Sequence, residues 1–115
     1  MGNRCVIVSE NTNKDNANRK LGIYLHWYGS KETVEDFLNK AKEKGIRTFS
    51  GDNQYCWARL CQIISNELTA EDGSYETGIG IGIVSQLDTD NGDNGVYYVN
   101  DEFEIVKHTN GKEFE

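Results

Sequence analysis

Short apolar runs punctuate the chain, and their spacing changes from strand-like to helical and back. Arg4 to Ser9 is continuous and β-branched, which predicts a buried strand. Glu10 to Arg19, rich in Asn with Thr, Lys and Asp, offers nothing to bury and reads as a mobile loop. From Leu21 to Trp27, the apolar Leu21, Ile23, Leu25 and Trp27 alternate with Gly22, Tyr24 and His26. That period of two places the first set on the core face of a second strand, paired with the first as a hairpin.

The period then lengthens. Val34, Phe37, Leu38 and Ala41 fall at i, i+3, i+4 and i+7, predicting a helix capped by Ser30 and stopped by Gly45. Glu32, Glu35 and Asp36 sit toward the positive end of its dipole, and Lys40, Lys42 and Lys44 toward the negative end. Asp52 or Asn53 opens a second helix reaching about Leu68, with Trp57, Leu60, Cys61, Ile64 and Leu68 on one stripe, widened by Cys56 and Ile63. Its polar strip is Arg59, Gln62 and Asn66.

Alternation returns in Gly78-Ile79-Gly80-Ile81-Gly82-Ile83, a strand with isoleucines on one face and bare backbone on the other. The second helix is expected to approach that bare face. A phosphate loop is excluded, because such glycines belong in a turn that opens a helix. Val96 to Val99 and Phe103 to Val106 predict a final hairpin turning at Asn100-Asp101. The order β-β-α-α-β-β-β gives one α+β domain over residues 1–115, an antiparallel or mixed sheet of about five strands with two helices on one face.

Charge changes this picture more than composition does. The net charge is −7, but Met1 to Arg59 carries ten Lys/Arg against seven Asp/Glu, whereas Leu60 to Val106 carries ten acids and no base. Such a segment repels nucleic acid and steers basic partners toward itself, which makes Glu71, Asp72, Asp88, Asp90, Asp93, Asp101 and Glu102 candidate partner-binding residues. No run approaches the roughly 20 apolar residues of a bilayer span, and the first residues lack a secretory signal, so the expected location is the cytoplasm. Three cysteines give no disulfide framework and read as small buried hydrophobes.

Candidate chemistry is sparse. Asp88-Thr89-Asp90-Asn91-Gly92-Asp93-Asn94-Gly95 has the oxygen-rich, turning composition of a calcium loop, but Gly92 offers no third-position ligand and Asp101 replaces the terminal Glu. Neither a metal nor any other cofactor is expected. Cys5, Cys61, His26 and Asp88 have no spacing that supports nucleophilic catalysis, and no catalytic residue is assigned. Arg59, amid Tyr55 and Trp57, is the only base between Arg47 and Lys107. It could clamp a phosphate, with Tyr55, Trp57 and His26 as further candidate ligand-binding residues, but the favoured reading is an internal ion pair with Asp88, Asp90 or Asp93.

Four motifs in order, Gly2-Asn3-Arg4, Leu25-His26-Trp27-Tyr28-Gly29, Tyr55-Cys56-Trp57-Ala58-Arg59-Leu60-Cys61-Gln62 and Leu87 through Tyr97, resemble a family of small proteins encoded by phages and mobile elements. The resemblance covers nearly the whole chain and implies a genomic setting, with no activity attached. By analogy with other small acidic phage-borne domains it implies a counter-defence protein, such as an inhibitor of CRISPR effectors or a sponge for immune nucleotides. The leading expectation is a non-enzymatic inhibitor that covers a basic surface of a host immune protein, without direct nucleic-acid or membrane binding. The alternatives are a nucleotide sponge, as a single chain or an oligomer, built on Arg59, Tyr55 and Trp57, and a calcium-stabilised structural module.

Overall fold

Five strands and two helices follow one another as β-β-α-α-β-β-β in the computed structural model, which describes residues 2–74 and 78–115. The strands are β1 (Cys5–Ser9), β2 (Leu21–Leu25), β3 (Ile79–Ile83), β4 (Val96–Val99) and β5 (Ile105–Thr109), and the helices are α1 (Lys31–Lys44) and α2 (Asn53–Glu67). They build one sheet in the order β3-β2-β1-β4-β5. β1 pairs antiparallel with β2 and parallel with β4, and the remaining neighbours are antiparallel, so the sheet is mixed and the fold is α+β. No helix among the described residues is long and apolar enough to cross a membrane.

The unbroken apolar run of β1 follows from its central place. Cys5 and Ile7 face both helices, while Val6 and Val8 face a second, smaller core, so neither side can be polar. The larger core joins Cys5, Ile7, Ile23, Leu25, Tyr97 and Val99 of the sheet to Val34, Phe37, Leu38 and Ala41 of α1 and Cys56, Trp57, Leu60, Ile63 and Ile64 of α2. α1 begins after Ser30 and ends at Gly45, whose φ of 64 supplies the left-handed turn. The hydroxyl of Ser30 meets that of Thr33 at 2.9 Å and makes no bond to the helix backbone. Asp52 caps α2 by accepting from the Tyr55 N–H at 3.3 Å.

Four sequence expectations are corrected. The segment 10–20 does bury side chains: Thr12 and Ala17 are buried, and Ala17 joins Val84, Val96 and Tyr98 in the second core. Its backbone is tied down where Ala17 and Lys20 carbonyls accept from Ser85 and Val84. Trp27 leaves the core face because β2 ends at Leu25, and it is 42% exposed. The bare face of β3 does not meet α2. Ile79, Ile81 and Ile83 pair across from Leu25, Ile23 and Leu21 on the helix side, so the glycines look the other way. There a Cβ on Gly82 would meet only Leu87, at 3.7 Å, and one on Gly80 would meet nothing within 4 Å. Finally, the last hairpin turns later than expected. Phe103, at φ 57, belongs to the turn and is buried, and β5 starts two residues on. Asn100 organises that turn, its side-chain oxygen accepting from the N–H groups of Glu102 and Glu104.

Candidate interaction site

Because β1 and β4 are parallel, both begin at one end of the sheet, and this brings Arg4 against the loop that precedes β4. Arg4 Nε lies 2.8 Å from Asp93 Oδ2 and Nη1 lies 3.4 Å from Asp88 Oδ2, while the Arg4 backbone N–H donates to Asp93 at 3.0 Å. The guanidinium hydrogen bond, helped by that backbone N–H, holds the Asp93 carboxyl below the usual carboxylate range. Asp88 and Asp93 are thus engaged inside the molecule, by Arg4 and not by Arg59. Asp90 is exposed.

Asn91 occupies the centre of this loop and is only 3% exposed. Its amide nitrogen donates to the carbonyls of Asp88, Thr89 and Gly95, and its oxygen accepts from the N–H groups of Asp93 and Gly95. Three backbone carbonyls of the loop thus converge on a side-chain amide. Among the described residues no group of three or more His, Cys, Asp or Glu is placed to hold a metal ion. The loop closes against the chain end: a Cβ on Gly111 would lie 1.9 Å from the Thr89 carbonyl, and one on Gly95 2.0 Å from that of Thr109.

The same end of the sheet gathers three of the four quoted motifs. Asn3 donates its N–H to the His26 carbonyl at 3.0 Å and accepts from the Gly29 N–H at 2.8 Å, and the Asn94 side chain reaches Asn3 and the Arg4 carbonyl. This frame holds Tyr28 at φ 64 and leaves it 46% exposed beside Trp27, immediately before α1.

The acids predicted as one surface are dispersed. Glu71 and Asp72 are exposed beyond α2, where the Ser74 hydroxyl and N–H bind Asp72 at 2.7 and 2.9 Å and lower its carboxyl. Asp101 and Glu102 lie at the far end of β4 from Asp88 and Asp93, and the Ser50 N–H donates to Asp101 at 3.3 Å. Only these last two join a larger acidic feature. Between α1 and β5 runs an open groove of ≈ 600 Å³ bordered by Glu32, Glu35, Asp36, Lys42, Glu104 and Val106. A neighbouring hollow of ≈ 370 Å³ shares Lys42, Phe103 and Glu104 and adds Asp101 and Glu102. The two hollows adjoin at Lys42, Phe103 and Glu104 and together form an acidic trough lined by six acidic residues and one lysine.

Sequence reasoning took Glu32, Glu35 and Asp36 only as dipole complements. Their i, i+3, i+4 spacing does signal one helix face, but that this face looks toward Glu104 depends on how α1 lies on the sheet. Of the candidate ligand-binding residues only Arg59 and Tyr55 are brought together. Trp57 is 1% exposed and packs on Phe49 at 4.9 Å between ring centroids. Arg59 is exposed, donates to Gln62 Oε1 at 2.6 Å and lies 5.3 Å from the Tyr55 ring centroid, with Arg47 at 4.9 Å from the same ring. His26 is remote from them, its Nδ1 2.8 Å from the Tyr24 hydroxyl. Burial pushes the Cys5 and Cys56 thiols up to about 12, which disfavours thiolate chemistry.

Compared with protein-family models, curated proteins and solved structures, the chain matches none.

Proposed function

We propose that this protein is a non-catalytic inhibitor of phage or prophage origin, which lays its acidic trough on a basic, nucleic-acid-binding surface of a bacterial immune protein such as a CRISPR effector. The trough between α1 and the β4–β5 turn carries the reading, since six carboxylates against Lys42 imitate the charge density of a phosphate backbone. Trp27 and Tyr28, exposed just before α1, are the residue types that anchor protein interfaces. The counter-defence setting rests on the resemblance of the sequence motifs and on analogy. The buried, high-pKa cysteines support a role without covalent chemistry.

The test is co-expression with nucleic-acid-guided immune effectors in a phage-challenged bacterium, scored by phage plating. A positive effector is then measured against the purified protein. Wild type should bind with a salt-sensitive association rate, and Glu32→Lys/Glu35→Lys/Glu104→Lys should slow association at least about tenfold while melting normally. Asp88→Asn, which leaves the trough intact, should bind as wild type. Unchanged association by the triple variant rejects the trough as the docking surface. A nucleotide sponge remains the alternative, favoured by the placement of Arg47 and Arg59 against the Tyr55 ring. It requires Arg59→Ala to lose binding of a phosphate-bearing ligand, an outcome the trough reading does not produce.

A further inference from the structure

The two edges of the sheet are built differently. β5 carries Lys107 and His108 and is irregular, because Tyr98 pairs with Lys107 but Val99 with Ile105, leaving Val106 as a bulge. Charge and bulges are the usual ways of keeping an edge from pairing. β3 has neither, and no proline; it reads Ile-Gly-Ile-Gly-Ile. Its centre, Ile81, is 49% exposed.

The register settles which backbone groups are free. His26 donates to the Gly78 carbonyl at 2.7 Å and Val84 to the Lys20 carbonyl at 2.9 Å. In an antiparallel ladder every second residue turns its N–H and C=O to the neighbour, so Gly80 and Gly82 also bond β2. Ile79, Ile81 and Ile83 then point theirs outward, except that the Ile83 carbonyl caps the 3-10 turn Val84–Gln86, and among the described residues no strand pairs with them.

We propose that β3 pairs antiparallel with β3 of a second copy of this chain about a two-fold axis at Ile81, joining two sheets into one of ten strands. The strand is a palindrome, so the axis sets Ile81 against Ile81 of the other copy and Ile79 against Ile83 in both directions. All three pairs are of the hydrogen-bonded kind, and because the Ile83 carbonyl already caps the 3-10 turn Val84–Gln86 they give four N–H to C=O bonds from groups that are free, with the isoleucines meeting on the helix side. The closest, non-hydrogen-bonded positions pair Gly80 with Gly82, where no Cβ can clash. Isologous contacts require such self-complementarity. The charge pattern also selects this occupant. No charged residue lies between Gly78 and Ile83, so the two edges meet without opposing like charges, and a basic peptide would find no carboxylate on this strand. An edge contact of this length stays below the roughly 1,200 Å² of stable interfaces, so the dimer is transient, with a dissociation constant of about 0.1 mM.

Amide exchange by NMR tests this on the unaltered protein. Between about 10 µM and about 1 mM, exchange at Ile81 and Ile83 should slow about fourfold, while Gly80 and Gly82 stay protected throughout. Sedimentation should report a dimer at the higher concentration, strengthened by added salt as repulsion is screened. Ile81→Lys and Ile81→Pro should both abolish it with unchanged melting, the first by charge and the second by removing an outward N–H that β2 does not use. A chain that remains monomeric at about 1 mM, or a dimer that leaves the Ile81 and Ile83 amides exchanging at the same rate, overturns the proposal.

Discussion

Arg4 shows how much a single side chain can organise. It stands at the head of β1, and one guanidinium ties the first strand to Asp88 and Asp93, far away in sequence. The Asp93 carboxyl has a folded pKa below its unfolded value of about 3.9, so its contribution to stability is fully present above that value. It is lost as pH falls through the depressed folded pKa. Melting temperature measured from about pH 6 down to about pH 2 should therefore fall on the acid side, and the fall should be shallower in Asp93→Asn, which has no proton to take up there. An equally steep acid limb in the variant would show that the pair contributes nothing. Arg59, the residue that the sequence favoured for this task, is spent on Gln62 and the Tyr55 ring. Nothing in the local sequence distinguishes the two arginines, because their roles follow from strand pairing.

At the scale of elements, the helices were the most legible part. The spacing of Val34, Phe37, Leu38 and Ala41, with Gly45 at φ 64, marks α1 and its end, since a 3.6-residue period admits only one buried face. In α2, Leu60 is 1% exposed and packs between the first helix and the sheet. Leu60→Ala should destabilise by about 2–5 kcal/mol in denaturant unfolding, whereas Gln62→Ala, on the exposed strip, should stay within about 0.5 kcal/mol. Strand ends were harder to read. Trp27 continues the alternation of β2 but lies beyond its last paired residue, and Phe103 looks like the start of a strand while its backbone makes the turn. Alternation records which face a side chain would take and not whether a neighbouring strand is there to pair with it.

For the whole molecule, charge is the quantity that the fold redistributes. A chain of net charge −7 collects six carboxylates in one trough, drawn from α1 and the β4–β5 turn, while Asp88 and Asp93 are drawn off by Arg4. Crowded like charges oppose the compact state until they are screened. Raising NaCl from about 10 mM to about 150 mM, which shortens the Debye length from about 30 Å to about 8 Å, should raise the melting temperature. In Glu32→Lys/Glu35→Lys/Glu104→Lys the salt response should be smaller, and thermal melts at the two concentrations measure both. An equal response in the two proteins would place the dominant repulsion elsewhere.

The sequence by itself determined the α+β class, the element order, the two helices with their buried stripes, and the isoleucine and glycine faces of β3. Each of these rests on local periodicity and backbone preference, which act over a few residues. Tertiary structure alone decided that β1 pairs parallel with β4, that Arg4 takes the aspartates, that segment 10–20 covers the second core, and that Glu32, Glu35 and Asp36 face Glu104. Those outcomes depend on contacts between residues far apart along the chain. Many strand orders would satisfy the same local pattern, and the packing of one face against another selects among them.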